Sequence, residues 1–144
     1  MTDSLRRFSV CAILIGAAVA GCANPREDVR LTLCKDMVAV ELGAVPSWQG
    51  NAVQLRGYQG ATVTVRFATA DGNQQATCEY AYDAVDDTAL ILATPIEAYT
   101  TSPEKLTING RTLTGPELAR AVQRAMQKQG REFLDRVRET LNGR

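Results

Sequence analysis

The sequence predicts an α+β domain: an N-terminal helix on a small antiparallel sheet, then a hairpin and a long C-terminal helix. Three observations carry that prediction. Ala61-Thr62-Val63-Thr64-Val65-Arg66-Phe67 alternates apolar and polar side chains with the period of a half-buried strand. Asp71-Gly72 and Asn109-Gly110 are two-residue hairpin signals between strand-forming runs. Apolar residues recur at helical spacing on both sides of this region, at Val29, Leu33, Met37 and Val40 before it and at Leu118, Val122, Ala125, Met126, Phe133 and Val137 after it.

The elements follow in chain order. The first helix is expected over residues 25–42, with Asn24 as cap, Pro25 at the first helical position and Glu27 as the acid of a capping box. Gly43 is a natural stop. Residues 44–51 contain Pro46, the single tryptophan Trp48 and Gly50, and are expected to form a loop. Trp48 suits either a half-buried ring closing the core or an anchor for a partner. Strands are expected over 53–58, 61–67 and 75–82, the last placing Ala76, Cys78, Tyr80 and Tyr82 on one face. Asp83, Asp86 and Asp87 form an acidic turn whose spacing matches no calcium loop. Residues 88–93 suit a buried strand or a helical turn. Leu106–Ile108 and Arg111–Leu113 flank Asn109-Gly110 as a hairpin with a type I′ turn. Thr114-Gly115-Pro116-Glu117 signals a second capping box, and the last helix is expected over 116–141, bent or divided at Gly130.

The first residues form an address rather than part of this fold. Arg6 and Arg7 precede an apolar run from Phe8 to Ala20, and small residues follow. That is the layout of a secretory signal. The run is shorter than the roughly 20 residues a membrane-spanning helix needs. The general secretory route is expected, since the surroundings of Arg6-Arg7 fit twin-arginine export poorly. Val19-Ala20-Gly21-Cys22 resembles the lipobox of bacterial lipoproteins. The resemblance implies that residues 1–21 are removed and that the thiol of Cys22, a competent nucleophile, is acylated. Residues 22–27 would then be the lipidated cysteine with a short tether, and residues 28–144 a single periplasmic domain. The membrane would be its partner through the acyl chains on Cys22. Lipoproteins of this kind kept at the inner membrane often carry an aspartate after the cysteine; with Ala23 there, the resemblance implies the periplasmic face of the outer membrane.

Four cysteines then divide by position. Cys11 leaves with the signal, Cys22 takes lipid, and Cys34 and Cys78 remain in an oxidising compartment. Such a pair is expected to form a disulfide stapling the N-terminal helix to the sheet. The layout "LCKDMVAVELG" followed by "VTVRFATADGNQQATCEYAY" resembles an arrangement found in small bacterial envelope lipoproteins, and implies no particular activity.

Charge and composition narrow the function. Lys and Arg total 16, as do Asp and Glu, so there is no overall basic excess for nucleic acid. The chain has no histidine, which removes histidine triads, histidine zinc sites and the usual proton shuttle. After the signal only Ser47 and Ser102 remain as serines, neither in a G-x-S-x-G setting. No cofactor, metal or catalytic residue is implied, and the protein is expected not to be an enzyme. The sharper feature is on the last helix. Arg120, Arg124, Lys128, Arg131 and Arg138 project within about 80° of one another at 100° per residue. With Trp48 they are the candidate partner-binding residues, facing an envelope protein or an anionic surface. The plainer alternative is a solvated polar face with Glu132, Asp135 and Glu139 interleaved as helix ion pairs. The expected function is a non-enzymatic interaction or accessory module of the cell envelope. The alternative is a small periplasmic inhibitor or ligand-binding lipoprotein.

Overall fold

The computed structural model of the chain describes residues 27–83 and 99–143. Helix α1 spans Val29–Leu42. Asp28 caps it, its carboxylate accepting from the Arg30 backbone N–H at 2.7 Å. The helix therefore starts at Val29, later than expected. Aspartate satisfies a donor of the open first turn and sits at the positive end of the helix dipole. Glu27 completes no capping box. It accepts from Thr32 Oγ1 at 3.1 Å and pairs with Lys35. Gly43 ends the helix with φ of 72°, in the left-handed region.

The buried face of α1 differs from the predicted stripe. Leu33 and Met37 are buried as expected, but Val29 is exposed and Val40 only partly covered. Leu31, Cys34 and Val38 turn inward as well. The helix is covered on two sides, by the sheet and by the last helix. A single apolar stripe therefore underestimates its buried arc.

Five antiparallel strands pair in chain order: β1 (Ser47–Leu55), β2 (Ala61–Thr69), β3 (Gly72–Tyr80), β4 (Lys105–Ile108) and β5 (Arg111–Leu113). β1 begins at Ser47, inside the expected loop. A bulge between Trp48 and Gly50 lets this stretch join the sheet edge. Val63, Val65 and Phe67 of β2 are fully buried, as their alternation predicts. Val63 pairs with Cys78, Cys78 with Leu106 and Leu106 with Leu113, a buried row across four strands. Asn109 and Gly110 both have positive φ, 50° and 84°, as the type I′ turn requires. Cys34 on α1 and Cys78 on β3 are joined as a disulfide, with Cα atoms 6.1 Å apart. The fold is thus α+β, with the first helix stapled to an antiparallel sheet.

Helix α2 spans Gly115–Asn142, 28 residues or about 42 Å. It runs through Gly130 without division. Thr114 occupies the cap position but its side chain makes no capping hydrogen bond, so the second capping box does not form. The expected element at 88–93, Asp86, Asp87, Asn24, Pro25 and the signal with Cys22 lie outside the described residues.

A buried polar tie joins α1 to the chain where it returns to the sheet. The Arg30 guanidinium is buried, with Nε donating to the Thr100 carbonyl at 2.8 Å and Nη2 to that of Tyr99. Asp28 balances its charge at 3.6 Å. The Tyr80 hydroxyl donates to the Arg30 carbonyl at 2.8 Å. Burial drives the Tyr80 phenol well above its ordinary pKa, and the Arg30 charge offsets this only in part. The neutral phenol is therefore the folded form. Its contribution is complete below the unfolded value of about 10 and is lost as the pH rises through the higher folded value. The urea midpoint is expected to fall as the pH climbs above about 10. Tyr80→Phe should cost about 1 kcal/mol at neutral pH and make that alkaline fall shallower. An unchanged alkaline slope in Tyr80→Phe would contradict this.

Candidate interaction surface

α2 divides into two parts along its length. In the first, Leu118, Ala121 and Ala125 are buried. These small alanines allow α2 to approach α1 closely. The two helices run antiparallel, since Glu41 near the end of α1 pairs with Arg124, while Asp36 in its middle meets Lys128 and Gln129. Lys128 Nζ lies 2.6 Å from both Asp36 Oδ1 and Glu132 Oε1, and Gln129 Nε2 donates to Asp36 Oδ2 at 2.7 Å. Asp36 is buried, so these donors take the place of water around its charge. Burial pulls the Lys128 pKa down, but the hydrogen bonds and charges of Asp36 and Glu132 outweigh it and raise the value above the ordinary one.

The predicted basic stripe is therefore not one outward surface. Arg124 and Lys128 are turned toward α1 and held there by its acids. Arg120 shares a shallow groove with Glu41 and Arg111. Arg138 forms an exposed pair with Asp135 at 3.4 Å. Arg131 is exposed. The helical wheel gave the direction of these side chains but not the neighbour they meet. Trp48 is also placed differently from the loop anchor considered above. It is half-buried on β1, edge-on to Phe67 with ring centroids 5.8 Å apart. It lines the groove between α1 and α2 with Asp36 and Lys128.

The second part of α2 leaves the core behind. From Gly130 to Gly143 every residue is exposed. Phe133 is 58% exposed, Leu134 60%, Val137 40% and Leu141 69%, and Met126 just before them is 61% exposed. Sequence reasoning gave Met126, Phe133 and Val137 to the packed side of the helix. The structure places them on the outside because their arc is centred about 100–140° around the helix from Ala125 and Ala121, which face the core, and no described residue of α2 beyond Ala125 is buried. A signal was present: Leu118 and Leu134 stand about 160° apart at 100° per residue, more than one packed face requires. Two apolar depressions follow this outer side. One of about 680 Å³ lies between α2 and Ser102-Pro103, lined by Val122 and Met126. A smaller one of about 230 Å³ is lined by Phe133, Arg136, Val137 and Leu141.

Among the described residues no helix is long and apolar enough to cross a membrane. Among the same residues, no three histidine, cysteine, aspartate or glutamate side chains gather as metal ligands. No protein-family model, curated protein or solved structure shows significant similarity to the chain.

Proposed function

We propose that this is a lipid-anchored protein of the bacterial cell envelope, acting as a non-catalytic interaction module of an envelope assembly. Cys22 carries the acyl chains, and the domain stands at the periplasmic face of the outer membrane on a short tether. The disulfide supports an oxidising compartment. The observation that carries the interaction reading is the projecting half of α2. No described residue of α2 beyond Ala125 is buried. Its large apolar side chains are exposed along one side. Exposed apolar patches of this kind mark interaction surfaces.

The test is site-specific photo-crosslinking in intact cells, with a photoreactive residue at Phe133 or Val137 and a control at Tyr58, which is exposed elsewhere. Adducts to an envelope component, protein or lipid, are expected from the α2 positions and not from the control. Equal labelling from all three positions would contradict the reading.

A further inference from the structure

We propose that the projecting half of α2 lies on an anionic phospholipid surface, giving the protein a second membrane contact beside its acylated cysteine. This deepens the interaction reading above and rests on it.

Charge is segregated around the helix. Met126, Phe133, Leu134, Val137 and Leu141 fall within an arc of about 100°. Arg131 and Arg138 flank this arc on one side and Arg136 on the other, each about 90–110° from its centre. Glu132, Asp135 and Glu139 point to the opposite side. Three basic and three acidic residues cancel in number, but the bases border the apolar strip and the acids stand away from it. An interfacial helix has this arrangement: apolar side chains enter the acyl boundary while flanking arginines extend to the phosphates. Among the described residues Arg131 and Arg136 form no ion pair, and the exposed Arg138–Asp135 contact is of the kind worth little in water.

The same flanks argue against a second copy as the occupant. In a parallel helix pair centred on the strip, the Arg131 and Arg138 flank of one helix would face the Arg136 flank of the other. In an antiparallel pair each flank would face its own counterpart. Like charges meet in both cases, where stable helix pairs place opposite ones.

Because α1 and α2 run antiparallel, the N-terminus of α1 lies toward the projecting half of α2. Glu27 lines the groove on the acidic side of α2 with Asp135, Arg136 and Glu139, turned away from the apolar strip. Cys22 precedes Val29 by seven residues, so extended chain places it within about 25 Å of the start of α1. That reach exceeds the roughly 10–12 Å diameter of a helix, so a tether starting on the acidic side of α2 can pass around it and bring Cys22 to the bilayer that the strip meets. The acyl chains hold the domain at the bilayer, and a second contact through the strip fixes its orientation there.

The test uses the chain from Ala23 onward, without acyl groups. It retains every described element and the whole core cluster, which runs from Leu31 to Ala125, and so folds as a unit. Co-sedimentation is measured with vesicles of phosphatidylethanolamine and phosphatidylglycerol, and with neutral phosphatidylcholine vesicles. Binding to the anionic vesicles only, weakened by salt, is expected. The triple variant Arg131→Gln, Arg136→Gln, Arg138→Gln should weaken it about a hundredfold, at about fivefold for each basic residue near the surface. Val137→Glu should abolish it. These positions lie outside the core, and circular dichroism with thiol counting checks that each variant keeps its fold. Equal binding to both vesicle types would overturn the proposal. A dimer in sedimentation velocity that Val137→Glu dissociates would overturn it in favour of a second copy. A monomer that binds neither vesicle would overturn it in favour of an acidic protein partner. None of these results touches the acylation of Cys22, and in the last two the interaction reading stands.

Discussion

Replacing Cys34 and Cys78 together by alanine is expected to lower the stability of the domain by about 4 kcal/mol. The bond closes a loop with a sequence separation of 44, and chain entropy in the unfolded state sets the size of the effect. The location adds to it. Both cysteines are fully buried, and Cys78 stands in the row formed by Val63, Leu106 and Leu113. Alanine removes a buried sulfur at each end and leaves a small void. The loop also encloses β1 and β2, so its loss removes the one covalent cross-link, besides the backbone itself, between α1 and the sheet among the described residues. The quantity to measure is the urea midpoint of the double variant against the oxidised parent at equal slope. A loss below about 1 kcal/mol would show that packing alone holds α1 in place.

Gly60→Ala should cost about 3 kcal/mol or more. Gly60 leads the chain from the 3₁₀ turn at Gly57–Gln59 into β2, with φ of 90°. A Cβ on it would stand 2.1 Å from the Tyr80 carbonyl oxygen and 3.2 Å from its carbon. These are backbone atoms of the adjacent strand, where Ala61 pairs with Tyr80, so neither can move without breaking register. Gly57 is the control. Its φ is 55°, but nothing lies within 4 Å of an added Cβ. Gly57→Ala should therefore cost only the left-handed penalty of about 1–2 kcal/mol. Thermal melts of the two variants give the comparison. Equal losses would mean that the close approach at Tyr80 is relieved without cost.

The parts of the fold governed by local chemistry were legible in the sequence. Asn109-Gly110 specified its turn because few residue pairs accept two positive φ angles. Val63, Val65 and Phe67 announced a buried face through their alternation, and Cys34 with Cys78 announced the staple. Elements decided by competition between neighbours were less legible. Asp28 took the cap from Asn24, which moved the start of α1. Trp48 and Gly50 joined an edge strand, because a bulge accommodates the irregularity that suggested a loop. The candidate surface was half visible. The wheel located the basic residues of α2, but Asp36 and Glu41 of α1, which hold Lys128 and Arg124, are about 80–90 positions away in sequence. The apolar spacing of α2 gave the helix correctly and its packed side correctly at Leu118, Val122 and Ala125, but not at Met126, Phe133 and Val137. Periodicity reports the helix, whereas burial depends on how far the rest of the domain extends along it.

The buried tie at Arg30 had no signal in the sequence. An arginine one residue from the apolar stripe resembles a surface residue. It is buried because the carbonyls of Tyr99 and Thr100, where the chain returns to pair beside the end of β3, receive its donors. The tie illustrates how a charged side chain is retained inside a small domain when backbone carbonyls and a carboxylate face its donors.

The account turns on how the domain is held at a membrane, and intact mass spectrometry of the mature protein from the membrane fraction tests that most directly. It predicts a chain that begins at Cys22, carries the added mass of acyl chains there, and lacks the two hydrogens of a Cys34–Cys78 disulfide. A chain that retains the Phe8–Ala20 run, or one that begins elsewhere with Cys22 unmodified or absent, would contradict it.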